Sequence, residues 1–179
     1  MVAKVVLTGR LSAVVLLSGA LLGCGPVLGR YPTEEPGRIG GLVDRLRAEA
    51  GAGLRAYQAE DDGTQSRGCG EDWQDKRTVA PRAGDRWRVN TNFYTFEAYL
   101  EFPVKSYQDA ERFYPAYAGY LRGAGWSVTV DNQNRGKPVG LDAFKQGVDL
   151  DSFHIPDKDT GGQVVLVQLK TECYRHPNA

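Results

Sequence analysis

The sequence predicts an α+β domain: an antiparallel sheet of about four strands with helices packed on one face, after an N-terminal signal peptide and linker. Two observations predict the domain. Segments whose apolar residues recur every three or four positions are interspersed with segments whose apolar residues recur every second position. A third observation predicts the leader, because one short apolar run lies at the start of the chain.

Residues 1–23 have the pattern of a secretory signal. Lys4 and Arg10 supply a basic start, and residues 11–22 form an apolar run broken only by small residues. The run is about twelve residues long, whereas a membrane-spanning helix needs about 20. We therefore expect an export signal rather than a spanning helix.

The end of this run predicts how the signal is processed. Leu21, Gly23 and Cys24 resemble the lipobox of bacterial lipoproteins. The resemblance implies cleavage before Cys24 and a diacylglyceryl group on its sulfur, which would anchor the chain to the extracytoplasmic face of the cell membrane. Two acyl chains suit this role, because a single chain binds membranes only marginally. The alternatives are an ordinary signal-peptidase site after Ala20, with Cys24 a spare thiol, or a run left uncut as an anchor.

The remainder of the chain divides into a linker and one domain. Residues 24–38 are rich in proline and glycine and predict a flexible tether. Residues 39–179 have the length of a single domain. The chain has 22 basic and 22 acidic residues, so removal of Lys4 and Arg10 leaves a slightly acidic mature protein. No basic block is present, and no nucleic-acid partner is expected.

The three cysteines are consistent with this arrangement. An odd cysteine in an exported protein requires an explanation. If Cys24 carries lipid, Cys69 and Cys173 remain as a pair, and export to an oxidising compartment predicts a disulfide between them. The two are not spaced as a Cys-x-x-Cys redox motif, so we expect a structural bond.

Two segments have the periodicity of amphipathic helices. The first is weakened by Gly51 and Gly53, where it is expected to break. The second begins at Ser106, with Asp109 as a weak capping partner, and is expected to kink at Pro115. The two apolar faces consist of Ile39, Leu42, Val43, Leu46, Ala50, Leu54 and Tyr57, and of Tyr107, Ala110, Phe113, Tyr114, Tyr117, Ala118 and Leu121.

Four segments have the composition of strands. They are residues 87–104, 126–130, 148–155 and 163–171. Within the first, the apolar positions change parity, which predicts a bulge or turn at residues 90–92. Residues 63–85 are predicted to form a long polar loop pinned by the disulfide and by Trp73, with a short strand at 78–80 as an option. Residues 136–147 have a mixed pattern.

The order of landmarks after Cys24 also resembles a known family. A short helix precedes a lone cysteine in a loop, and an aromatic strand leads into a helix that ends before Gly125 and Trp126. A turn at residues 159–162, a strand rich in β-branched residues and the final Cys173 follow. This arrangement is similar to the LppA-like lipoproteins of actinobacteria. The resemblance implies location and fold only, because that family has no activity to transfer.

The sequence contains few candidate metal ligands. Asp157 and Asp159 resemble the opening of a calcium loop, in which carboxylates alternate. The resemblance then fails, because Gly161 occupies a ligand position and Gln168 stands where a bidentate glutamate is needed. The histidines have no zinc-ligand spacing. We therefore expect a solvated hairpin turn here, and no metal or other cofactor.

A catalytic site would have to be assembled in space. No Gly-x-Ser-x-Gly or Ser-x-x-Lys motif is present, so a hydrolase would need Ser127 or Ser152 together with His154. Glu97 and Glu101 share one strand face and offer an acid–base pair. The simpler interpretation of these two glutamates is a pair of solvated carboxylates on an open face.

Aromatic residues are the strongest binding candidates. From the set of seven around the second helix and its flanking strands, Tyr94, Tyr99 and Trp126 are predicted to contribute to an exposed surface for an envelope protein or a glycan. The predicted function is a membrane-anchored, non-enzymatic binding or interaction module of the cell envelope. The alternative is a small envelope hydrolase with a site around His154. The full set is Tyr94, Tyr99, Tyr107, Tyr114, Tyr117, Tyr120 and Trp126.

Overall fold

A computed structural model of the chain describes residues 31–53, 60–73, 87, 89, 91–131, 140–157 and 161–179. In these ranges two helices and seven strands follow one another in a mixed order. The elements are α1 (Pro36–Ala52), β1 (Glu60–Gly68), a 3-10 turn (Gly70–Asp72), β2 (Phe93–Val104), α2 (Tyr107–Gly123), β3 (Ser127–Asp131), β4 (Gly140–Lys145), β5 (Val148–Pro156), β6 (Gln163–Thr171) and β7 (Tyr174–Arg175).

The strands form one antiparallel sheet in the order β1-β2-β6-β5-β4-β3, and β7 pairs with the start of β2. The α+β class is therefore confirmed, but the prediction of about four strands is wrong, because the sheet has seven. β1 was predicted as part of a loop because its residues are polar. It lies at the edge of the sheet, where backbone hydrogen bonds to β2 form a strand without apolar side chains.

One face of the sheet carries the core. Successive side chains of a strand point to opposite faces, so every second residue of β2 is buried against the helices. α1 reaches this face at Leu100, and α2 reaches it at Phe102, whose ring packs against Phe113. The β2 contribution to the core is Tyr94, Phe96, Ala98, Leu100, Phe102 and Val104, and β6 adds Val165, Val167 and Leu169.

The first helix begins earlier than its apolar pattern suggests. Pro36 occupies the first turn, where its missing N–H has no helical partner to lose. Before it, Thr33 bridges to Arg175, and the Glu34 N–H donates to the Arg175 carbonyl at 3.2 Å. The segment 33–38, which lies within the predicted tether, is thus held against the sheet. The helix ends at Ala52, between the two glycines that predicted a break.

The second helix begins where its cap predicts. The Ser106 hydroxyl oxygen accepts a hydrogen bond from the Asp109 N–H at 3.2 Å, which satisfies one of the free donors of the first turn. The helix continues as one element through Pro115, which is exposed. Neither helix in the described part of the chain has the length and hydropathy needed to cross a bilayer.

Two other predictions concern the region before β2. The chain bends at residues 91–92, immediately before β2, and Trp87 packs on the core side against Phe96. Trp73 does not pin the loop, because 65% of its surface is exposed. The optional strand at 78–80 lies outside the described residues.

Gly40 provides a test of how tightly α1 packs. A Cβ atom added to this glycine would lie 2.3 Å from the Trp87 ring, whereas one added to Gly119 of α2 would meet nothing within 4 Å. We expect Gly40→Ala to lower the free energy of unfolding by about 1–3 kcal/mol because it overpacks the core. The matched control, Gly119→Ala, should raise it by up to about 1 kcal/mol. Urea denaturation of both variants checks this; equal effects would contradict the close packing of α1 against Trp87.

Candidate binding surface on the open sheet face

The sheet face opposite the helices is accessible along most of its width. Side chains of β2, β6, β5 and β4 that alternate with core residues point to this side, which we call the open face. Its exposed or half-buried members are Tyr99, Glu101, Pro103, Val164, Leu166, Gln168, Lys170, Asp149, Asp151, Phe153, Ile155, Asp142 and Phe144. They fall into an apolar group and a charged group.

The apolar group lies at one end of the open face. Leu166 of β6 is directly opposite Phe153 of β5, and Val164 is directly opposite Ile155. We call these four residues the apolar strip. Phe153 and Ile155 are 40% and 42% exposed, which is high for large apolar side chains. A cavity of about 490 Å³ opens beside the strip and is lined by Pro103, Val104, Lys105, Gly161 and Gly162.

The charged group is organised around a buried carboxylate. The side chain of Glu97 is 7% exposed, and its oxygens lie 3.0 Å from Arg67 Nε and 3.4 Å from Lys170 Nζ. The Tyr99 hydroxyl donates to the same carboxylate at 3.0 Å and accepts from the Gln168 amide at 3.0 Å. Burial, together with the hydrogen bond to Glu97, raises the pKa of the Tyr99 phenol. Glu97 is therefore a paired structural charge rather than the solvated acid or base considered from the sequence.

Two further carboxylates face each other on neighbouring strands. Asp142 of β4 is directly opposite Asp151 of β5, and both are exposed. Burial, and then the negative charge of Asp142, raise the pKa of Asp151. Like charges directly opposite on a sheet are destabilising. Asp149, two residues before Asp151, is instead opposite Lys170.

The predicted aromatic surface is largely internal. Tyr94 and Trp126 lie in the core, where their rings are inaccessible to a partner. The Tyr94 hydroxyl donates to the Glu34 carbonyl at 2.6 Å, and the Trp126 indole N–H donates to Glu49 Oε1 at 2.7 Å. Of the three predicted binding residues, Tyr99 is on the open face. Tyr94 has the same parity in β2 as the buried Phe96 and Ala98, and this signal could have separated it from Tyr99.

Trp126 belongs to a polar cluster on the helix side. Lys145 Nζ donates to Glu49 Oε1 at 2.6 Å and to the Ala124 carbonyl at 2.6 Å. Burial raises the pKa of Glu49, but the hydrogen bonds from Lys145 and Trp126 outweigh it, so that pKa is lowered. The cluster joins the end of α1 to the α2–β3 turn and to β4. Its arrangement is that of a structural clamp.

In the described part of the chain, His154 lies among aromatic residues and a buried serine. His154 Nδ1 lies 2.9 Å from the Tyr114 hydroxyl, and the Tyr107 ring packs edge-on against the imidazole. Ser152 shares this face of β5 but is 1% exposed, and its hydroxyl has no hydrogen-bond partner among the described residues. Ser127 is on the opposite face of the sheet, level with Phe144. Neither serine is presented to a substrate beside His154.

The hairpin between β5 and β6 contains the calcium-like motif. The Asp157 N–H donates to the Gly162 carbonyl and the Gly161 N–H donates to the Asp157 carbonyl, each at 3.0 Å. Gln168 is remote from this turn, in mid-strand opposite Asp151. Asp159 lies outside the described residues. Within the described ranges, no group of three or more His, Cys, Asp or Glu side chains is placed to hold a metal ion.

The predicted disulfide is confirmed. Cys69 and Cys173 are bonded, with a Cα–Cα distance of 5.9 Å. Cys69 directly follows β1, and Cys173 lies between β6 and β7. These strands flank β2 on opposite sides, so the bond closes the sheet around the start of β2. In the chain-entropy model, a loop of this length contributes about 4–5 kcal/mol.

Comparison of the chain with protein-family models, with curated proteins and with solved structures finds no match. The similarity to LppA-like lipoproteins therefore stays a prediction. The geometry of the open face is the basis for any assignment of function.

Substitutions of Asp142 and Asp149 on the open face are expected to have opposite effects on stability. Asp142→Asn removes the like-charge pair and should stabilise the protein at neutral pH by about 0.2–1 kcal/mol. The folded-state pKa of Asp151 is raised, so its carboxyl is protonated at low pH and does not repel Asp142. As the pH rises through that pKa, Asp151 ionises and the repulsion lowers the stability of the wild-type protein. The increase in the free energy of unfolding caused by Asp142→Asn should therefore be smallest below about pH 4 and become larger towards pH 7.

Asp149→Asn is the matched control, since it removes a carboxylate from the same face of β5. Asp149 is opposite a lysine, so the control should leave stability unchanged or lower it. Urea midpoints of both variants across this pH range provide the measurement. A stabilisation of equal size in both variants would show that general charge reduction, and not the Asp142–Asp151 pair, is responsible.

Proposed function

We propose that this chain is a lipid-anchored, extracytoplasmic binding module of the cell envelope, without enzymatic activity, and that it binds a protein partner through the open face. The observation that carries the proposal is the apolar strip. Phe153, Ile155, Leu166 and Val164 form a contiguous apolar area on an exposed sheet face, and such areas mark interaction sites.

A protein partner suits this face better than a glycan. Carbohydrate sites rely on accessible aromatic rings bordered by hydrogen-bonding groups, and two of the three aromatic residues predicted for that role are buried. The open face instead combines an apolar strip of one phenylalanine and three aliphatic side chains with fixed charges, such as Lys170 and Asp149. This combination is typical of protein–protein surfaces, where an apolar centre is bordered by polar residues.

The position of the anchor also favours a protein over lipid as the occupant. Tyr31, near the start of the described chain, packs against Phe93 at the beginning of β2. The apolar strip lies beside the other end of β2, about 30 Å away at 3.3 Å per residue. If Cys24 is lipidated, the seven residues to Tyr31 span at most about 25 Å. The strip is then farther from Tyr31 along the sheet than this tether can span.

The hydrolase alternative has less support. A serine nucleophile must reach its substrate, and the one serine on the His154 face of β5 is buried. The Nδ1 atom of His154 contacts the phenol of Tyr114. The geometry therefore favours the binding module.

The anchor is tested by Cys24→Ala. We expect the variant to leave the membrane fraction or to accumulate as an uncut precursor, because lipid attachment needs the thiol. Cys69→Ser is the control: it removes a different thiol, one held in the disulfide, and should remain membrane-bound. Fractionation and the mass of the mature chain are the measurements. A mature-sized Cys24→Ala chain that still partitions to membranes would exclude lipidation at this position.

The binding surface is tested by Phe153→Ser with Ile155→Ser. A photo-reactive side chain introduced at Asp149, on the same face, should yield cross-linked protein complexes in intact cells, and the double substitution should remove them. Phe144→Ser is the matched control, because Phe144 is 51% exposed on the open face but outside the strip. Both variants should keep the wild-type urea midpoint. Complexes that survive the double substitution would refute binding through the strip.

A further inference from the structure

We propose that the protein partner of the open face is a second copy of this chain, related by a two-fold axis that runs parallel to the strands between β6 and β5. This inference rests on the proposed function, because it names the partner of the same surface. Apart from the two-residue β7, which pairs with the start of β2, three strands lie on either side of this line: β1, β2 and β6 on one, and β5, β4 and β3 on the other. Rotation about the axis places β6 of each copy over β5 of the other.

The apolar strip matches itself under this rotation. An axis parallel to the strands preserves height along them, so residues that are level within one sheet face each other between two sheets. Leu166 is level with Phe153, and Val164 is level with Ile155. Each copy would therefore set its β6 pair on the β5 pair of the other, and all four side chains would become buried. Aligned sheets pack in this manner about 10 Å apart.

The charges are complementary under the same rotation. Lys170 is level with Asp149, so each lysine would face the aspartate of the second copy. The cations Arg67 and Lys170 belong to the β1–β2–β6 half, where Glu97 is buried between them and Glu101 is half-buried. The exposed aspartates Asp142, Asp149 and Asp151 belong to the other half. Because Glu97 and Glu101 balance Arg67 and Lys170 within their own half, the complementary contact between the copies is that of Lys170 with Asp149.

The position of the tether favours a two-fold axis parallel to the strands over one perpendicular to them. Thr33 and Tyr31 lie at the end of the sheet where β2 begins. An axis parallel to the strands leaves the two tethers at the same end of the dimer, so both copies can be anchored in one membrane. An axis perpendicular to the strands would direct the tethers in opposite directions and would place the apolar strip on the charged rows.

The size of the open face implies a weak dimer. Six strands spaced about 4.8 Å apart and about 20 Å long give a footprint of roughly 500 Å² per copy. The total of about 1,000 Å² is at the lower limit for specific interfaces. Anchoring of both copies in one membrane would raise their effective concentration and compensate for this small area. The association should therefore be assayed with the membrane-bound protein.

Thiol cross-linking between differently tagged full-length copies tests the arrangement. One copy carries Lys170→Cys and the other carries Asp149→Cys, and both are expressed in the same membrane. A short bis-maleimide should join them about tenfold more efficiently than it joins Lys170→Cys with Ser127→Cys, because Ser127 is on the outer strand β3. Adding Phe153→Ser and Ile155→Ser to both copies should reduce the product by a similar factor.

Each outcome bears on the proposal. The dimer is supported if position 170 is cross-linked efficiently to position 149 but not to position 127, and if the substitutions Phe153→Ser and Ile155→Ser reduce the product. Equal cross-linking at positions 149 and 127 overturns it. If the 170–149 product is missing while the strip variant still loses complexes with other envelope proteins, self-association is wrong and the proposed binding function stands. If the strip substitutions change neither assay, and both variants are folded and disulfide-bonded, both proposals are wrong.

Discussion

The register of β2 is the constraint on which the rest of the structure depends. This strand pairs with β1 on one side and with β6 and β7 on the other, and its alternate residues supply the centre of the core. Because side chains alternate with a period of two, a slip of one residue would exchange Phe96 and Phe102 for Glu97 and Glu101. The Cys69–Cys173 bond joins the strands on both sides of β2 and so opposes such a slip.

The two faces of the sheet accommodate charge in different ways. On the helix side, Glu49 and Lys145 are paired where α1 meets the α2–β3 turn, and the cluster orients both helices. On the open face, Glu97 is buried beneath Arg67 and Lys170. A buried ion pair adds little to the net free energy of folding, because desolvation offsets the attraction, but the removal of one partner is costly. In both clusters at least one partner of each pair is partly exposed, so solvent screens the attraction further.

The proposed function depends on the side of the sheet that neither described helix covers. In the described part of the chain both helices pack on one side, which leaves the other side of β5 and β6 accessible. When one face of an antiparallel strand pair contacts only solvent, every second residue, on that face, is usually polar. β5 follows that rule at Asp149 and Asp151 and departs from it at Phe153 and Ile155. This departure lies at the end of the sheet opposite the one where Tyr31 packs against Phe93.

The sequence by itself determined the features that depend on neighbouring residues. The Ser106 cap, the apolar face of α2, the alternation within β2 and β6, and the disulfide partners were all predictable, because periodicity, capping and cysteine parity are local or countable properties. The tertiary structure alone decided that polar β1 is a strand, since an edge strand is formed by backbone pairing with β2. It also decided that Trp126 is buried and that Phe153 and Ile155 are exposed. Burial depends on which elements pack against a side chain, and no spacing along the chain encodes that choice.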